Sequence, residues 1–201
     1  YDPVKDFEVI SNIAEVTFMV LAHPSVSAKT LPELFAYAKA EPDKLAIATD
    51  GARRFSGMIA AWINKLAGTS IVHVPYRIAT QALPDLISGD LQVGYNYIPT
   101  FVPAVQQGTI RGLAVTSLKR VSDLPDVPTL DESGFPGFEA SGWNALFAPA
   151  GTPREIIDRV STLVNTFLKS DDGQAQLRKL GITPLGGTPE AVQQALLVRQ
   201  W

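Results

Sequence analysis

Apolar positions along this chain fall into two alternating patterns. Short runs rich in β-branched and aromatic residues, such as Val16-Thr17-Phe18-Met19-Val20-Leu21-Ala22 and Ile71-Val72-His73-Val74, predict buried strands. Similar runs at 45–49, 91–97 and 112–116 predict three more. Helical patterns lie between them. Thr30-Leu31-Pro32-Glu33 opens one, with Thr30 placed to cap it and Glu33 three residues on, where its carboxylate reaches back. A second follows Asp50-Gly51 and runs through Met58, Trp62 and Leu66; others cover 80–88 and 101–107. Strands separated by helices predict crossover units and a mainly parallel sheet.

Beyond residue 119 the pattern weakens. Pro125, Pro128, Gly134, Pro136 and Gly137 predict loop, with a short helix near 129–133. A strand is expected at 144–148. Thr152-Pro153-Arg154-Glu155 is the clearest helix start, with a Thr cap, Pro in the first turn and Glu to close the box. Its helix sets Ile156, Ile157, Val160, Leu163, Val164, Phe167 and Leu168 on one stripe. Further helices are expected at 174–180 and from Thr188-Pro189-Glu190 onward. The last pattern reaches Trp201 without a stop signal, so both ends are expected to be breaks in a longer protein.

Composition narrows the functional classes. The 201 residues are 46% hydrophobic and 18% charged, with a formal net charge of -3, which suits one large domain or two lobes. Basic residues adjoin only in the pairs Arg53-Arg54, Lys119-Arg120 and Arg178-Lys179, and the pI is near 5.4, which argues against nucleic acid or an anionic membrane as partner. The chain has no cysteine, which removes disulfides, zinc-thiolate sites and cysteine nucleophiles together. The first residues carry no hydrophobic signal segment.

Catalytic patterns are missing. No G-x-S-x-G, H-E-x-x-H or P-loop pattern occurs, so no catalytic residue is assigned. His73 sits inside a predicted strand and reads as a structural histidine; His23 ends another. No His, Asp and Glu cluster has metal-binding spacing, and neither a metal nor a cofactor is expected.

The informative segment is Ala48-Thr49-Asp50-Gly51-Ala52-Arg53-Arg54-Phe55-Ser56-Gly57, which joins a strand end to a helix start. Ligands gather at strand carboxyl ends in open α/β sheets, and a helix's first-turn N–H groups favour an anion. Arg53 or Arg54 adds a fork for a carboxylate. Taken alone, the segment reads more simply as an Asp-Gly turn with two solvated arginines. Two further strand ends, Tyr76-Arg77-Ile78-Ala79-Thr80 and Tyr95-Asn96-Tyr97, reach the same edge if the sheet is parallel. Their tyrosines suit a binding cleft or ordinary packing under a loop.

The order of several segments resembles the Bug family, the extracytoplasmic receptors of tripartite tricarboxylate transporters. Those segments are Tyr1-Asp2-Pro3-Val4-Lys5-Asp6-Phe7, His73-Val74-Pro75-Tyr76, Gly112-Leu113-Ala114-Val115-Thr116-Ser117, Leu124-Pro125-Asp126-Val127-Pro128-Thr129, Gly134-Phe135-Pro136-Gly137-Phe138-Glu139, Phe147-Ala148-Pro149-Ala150-Gly151-Thr152-Pro153 and Gly186-Gly187-Thr188-Pro189-Glu190. The resemblance implies a type II periplasmic-binding-protein fold: two α/β lobes with mainly parallel sheets flanked by helices, closing on a ligand like a Venus flytrap. It implies a complete second lobe at 15–117. It also implies that 1–14 and 118–201 form the hinge and an incomplete first lobe.

By the same resemblance, Thr49 to Arg54, Tyr76 to Thr80 and Tyr95 to Tyr97 are the ligand loops. The implied ligand is a small organic acid, and the implied partners are membrane permease subunits or a sensor kinase. The location is periplasmic and the full-length state monomeric. The loops depart from the family pattern. A first loop usually close to G-x-G-[ST]-x-x-H reads D-G-A-R-R-F-S, and a second usually K-G-G-x-P-A reads Arg77-Ile78-Ala79-Thr80-Gln81-Ala82. A third usually carrying D-N has Asn96-Tyr97. Gaining two arginines and losing an aspartate favours an anionic ligand, such as a dicarboxylate or an aromatic acid.

Overall fold

The computed structural model describes residues 2, 5–42, 44–51, 53–77, 81–179 and 182–198. They form two compact units: Tyr1–Val16 with Trp143–Trp201, and Thr17–Gly142. The first strand, β1 (Phe7–Val16), belongs to the former.

The continuous unit is built on a five-stranded sheet. Its elements are β2 (Phe18–Ala22), α1 (Leu31–Ala40), β3 (Ala46–Thr49), α2 (Phe55–Ala67), β4 (Val72–Pro75), α3 (Ala82–Ser88), β5 (Val93–Tyr97), α4 (Ile98–Gln106) and β6 (Arg111–Val115). Period-two alternation makes each strand serve two faces. Phe18, Val20 and Ala22 enter the core under α1 and α2, while Met19 and Leu21 enter the core under α3 and α4. Two helices per face leave the central strands nearly dry; all five residues of β2 are buried. Thr30 caps α1 as its pattern predicts, accepting the Glu33 N–H. Glu33 in turn accepts the Lys29 N–H at 2.7 Å.

Strand order is β4-β3-β5-β2-β6. β3 runs parallel to β4 and β5, but β2 is antiparallel to both β5 and β6. The sheet is therefore mixed rather than mainly parallel. The reason is β2: it inserts between β5 and β6 against the direction of both neighbours, which an apolar run cannot reveal. Packing on β5 is close at Gly94, where a Cβ would stand 2.7 Å from a methyl of buried Leu86.

The segment after β6 also departs from the expected boundary at 117. It folds back along β6, with Leu130 N–H on the Val115 carbonyl at 2.9 Å and Ala140 N–H on the Thr116 carbonyl at 3.0 Å. Leu130 and Phe138 enter one core, and Leu124 and Val127 the other. By contacts, residues 118–142 thus belong with this unit. The helix expected near 129–133 shortens to one turn, in which Thr129 and Glu132 exchange side-chain-to-backbone bonds of 2.8 and 3.0 Å.

The other unit returns through β7 (Gly142–Pro149), α5 (Arg154–Lys169), α6 (Asp171–Lys179), β8 (Thr183–Pro184) and α7 (Pro189–Val198). Its sheet runs β7-β1-β8, and α5 and α7 pack on β1. Ten-residue β1 escapes the sequence patterning because Glu8, Ser11, Asn12 and Glu15 break its alternation. The predicted cap of α5 does not form: the Thr152 hydroxyl donates to the Pro149 carbonyl at 2.7 Å instead. The predicted stripe is split as well. Ile157 and Leu168 are buried, while Ile156, Leu163 and Phe167 are exposed.

Candidate functional site

Strand direction decides which loops meet. Thr49 pairs with Pro75 and Ala48 with Gly94 in parallel register, so β3, β4 and β5 end at one edge. Antiparallel β2 starts there, with Phe18 opposite Tyr97. The three loops singled out by sequence leave the sheet side by side.

The first loop is fastened from within. The buried Thr49 accepts the Tyr76 N–H through its carbonyl at 2.8 Å and the Gly51 N–H through its hydroxyl at 3.3 Å. Gly51 has φ of 121°, a region that side-chain-bearing residues avoid. That turn lets the Gly51 carbonyl accept the Arg54 N–H at 2.9 Å. Asp50 N–H donates to Ser56 Oγ at 2.8 Å, and the Ser56 hydroxyl donates back to Asp50 Oδ1. Arg54 stands at the N-cap of α2 without a side-chain capping bond. The first-turn amides therefore face the loop with the helix dipole behind them. Arg53 and Arg54 are exposed, and neither forms an ion pair among the described residues. Ala52 lies outside the described residues.

The third loop meets the first. Phe18 lies 4.9 Å from Phe55 and 4.4 Å from Tyr97 between ring centroids. It also stacks on Tyr95 at 5.3 Å with planes 6° apart. Burial pushes the Tyr95 hydroxyl well above its ordinary range and raises Tyr97 too, and the Asp50 charge adds to both. The Tyr95 hydroxyl is turned toward Thr116 and makes no hydrogen bond of normal length. Asn96 is buried on the other side of the strand, where its Oδ1 accepts the Tyr97 N–H at 2.9 Å.

Tyr76, at the start of the second loop, turns its side chain elsewhere. Tyr76 packs with the core under α3 and α4, and its hydroxyl donates to Asp85 in the first turn of α3. Burial, then this bond, pushes that hydroxyl up to about 12. The polar tip expected to face a cleft is thus committed to α3. Arg77 is exposed; Ile78, Ala79 and Thr80 lie outside the described residues.

Phe18 and Asp85 were not singled out by their sequence pattern. Phe55 and Ser56 lie in the informative segment but were not assigned to the ligand, because polarity drew attention to the arginines first. Phe18 joins the site only through antiparallel pairing. His73 behaves as a structural residue: its Nε2 lies 3.4 Å from Asn64 Nδ2, and burial lowers its pKa. Among the described residues no group of three or more His, Asp or Glu could hold a metal ion.

A family profile described as "Tripartite tricarboxylate transporter family receptor" matches residues 1–199. The chain belongs to this family. Three solved relatives share its fold. An R. palustris protein, Rpa4515 with adipate, is 33% identical with a TM-score of 0.89, covering 98% of this chain and 66% of that one. The periplasmic binding protein BugD is 30% identical with a TM-score of 0.87, covering 98% and 67%. MatC from Rhodopseudomonas palustris with bound malate is 29% identical with a TM-score of 0.86, covering 98% and 68%. The first of the curated relatives, from Pseudomonas sp. (strain P51), is 31% identical, and the chain spans 57% of its length. Against this family the mixed α/β fold and the receptor class stand, and enzymes are not among these relatives.

Proposed function

We propose that this chain is the ligand-holding part of a periplasmic receptor that captures a small carboxylate and delivers it to the permease of a tripartite tricarboxylate-type transporter. The observation that carries the reading is the edge at Thr49 to Arg54. A helix start without a side-chain cap and two arginines that form no ion pair among the described residues offer a carboxylate both dipole and fork there. Relatives of the same fold hold adipate and malate, acids of matching charge. The roles divide by position. Amides of Phe55, Ser56 and Gly57 receive the carboxylate, while Arg53 and Arg54 supply charge. Asp50, Gly51, Thr49 and Ser56 shape the loop, and Tyr95, Asn96 and Tyr97 form the neighbouring wall. Tyr76 and Arg77 follow the end of β4 on the same sheet edge. Arg53, Arg54 and Arg77 outweigh Asp50 on this edge, so its field attracts anions.

Isothermal titration of the purified protein with adipate and malate tests this. Binding of an acid, weakened about tenfold or more in Arg53→Ala/Arg54→Ala, is the expected result. Tight binding of a cationic solute with no acid bound sinks the reading.

A further inference from the structure

The aromatic groups beside the α2 start are arranged in a way a malate-sized ligand does not need. Phe18 is 1% exposed and Tyr95 fully buried, yet Tyr97 on the same strand face keeps 37% of its surface open. The buried pair backs Tyr97: Phe18 stacks on Tyr95 with planes 6° apart and meets the Tyr97 ring at 4.4 Å. Phe55 closes the cluster at 4.9 Å from Phe18, and the same Phe55 is the first residue of α2. An open ring held from behind therefore stands next to the helix start. The first loop meets this wall through Ser56, the neighbour of Phe55 in the first turn of α2, whose hydroxyl accepts the Asp50 N–H at 2.8 Å.

We propose that the acid taken by this edge carries an aromatic ring, with its carboxylate on the first turn of α2 and its ring stacked on Tyr97. The inference rests on the carboxylate-receptor reading and narrows its ligand class. A ring fixed by Phe18 loses little freedom when a second ring covers it, and offset stacks of aromatic rings gain beyond the area they bury. An aliphatic acid of the same charge satisfies the helix start and leaves Tyr97 uncovered.

Benzoate and cyclohexanecarboxylate separate the two parts, since they share charge and approximate size but only one is flat and aromatic. Calorimetry on the purified protein should show benzoate bound about tenfold more tightly. Tyr97→Leu should erase that preference and Tyr97→Phe should keep it, with each variant's fold checked by circular dichroism. Upfield ring-current shifts of the bound benzoate protons in the unaltered protein provide a second readout that needs no variant. Equal affinity for the two acids, a preference that survives Tyr97→Leu, or unshifted benzoate protons overturns the inference while leaving the receptor reading intact. If no carboxylate binds at all, adipate and malate included, both readings fall.

Discussion

At the scale of single residues, two polar side chains do work that no pattern announces. Asn165 lies mid-helix in α5, a poor place for an amide that prefers caps and turns. Its Oδ1 accepts the Gly187 N–H at 2.8 Å, and its Nδ2 donates to the Gly187 carbonyl at 3.1 Å and to Ser11 Oγ at 3.2 Å. One amide thus ties β1, α5 and the 186–187 turn. Asn165→Ala strands partly buried donors and acceptors and should cost about 2 kcal/mol, read as a lower midpoint in urea melts. Tyr76 carries the pH signature. Its hydroxyl titrates near 12 in the fold against a reference of 10.0. Burial first, and the Asp85 bond second, favour the protonated phenol in the fold, so this contribution to stability is present in full below about pH 10 and is lost as pH climbs through about 12. Ultraviolet titration should show one late phenolate missing in Tyr76→Phe, and stability above pH 10 should fall less steeply in that variant.

At the scale of elements, the sequence is most legible where one rule acts alone. Thr30 and Glu33 announce α1 through side-chain-to-backbone bonds within five residues. The loop after β3 is legible for the same reason, since Asp50 and Gly51 carry turn chemistry on their faces. Where two rules compete, legibility ends. Thr152 has the cap signature, yet its hydroxyl bonds backward to Pro149 and α5 starts without it. Residues 118–142 contain so many Pro and Gly that their apolar residues look incidental. Leu130 is nonetheless fully buried, and Phe138 packs against Trp62 at 4.7 Å. Leu130→Ala should therefore destabilise by about 2–5 kcal/mol. It should also shift the same unfolding transition as Leu34→Ala on α1, because both side chains enter one core. Separate transitions for the two variants would place the segment elsewhere.

At the scale of the whole molecule, the candidate edge exists because of strand direction. Parallel β3, β4 and β5 send their loops one way, and antiparallel β2 adds Phe18 to that edge from a segment 31 positions before Thr49 in number alone. Residue types at the edge can be read from sequence; their convergence cannot, since it depends on pairings between distant segments. The two units differ in how the chain supplies them. Thr17–Gly142 is one uninterrupted stretch, with both faces of its sheet covered by its own helices. Expressed alone, residues 17–142 should fold with a cooperative thermal transition and dispersed amide resonances. A molten, undispersed spectrum would mean that the rest of the chain is required.

The pairing of β1 with β8 sets the order of assembly. Ala14 and Glu15 wait for Pro184 and Thr183, partners made 170 and 168 positions later. At about 5–20 residues per second, β1 has been out of the ribosome for on the order of ten seconds or more before its partner exists. In that interval the uninterrupted unit has everything it needs, whereas β1 has β7 for one edge and still lacks β8 for the other. Contacts this distant in sequence close late and slowly. Residues 17–142 are thus poised to become native first, and β1 and β8 to come together later.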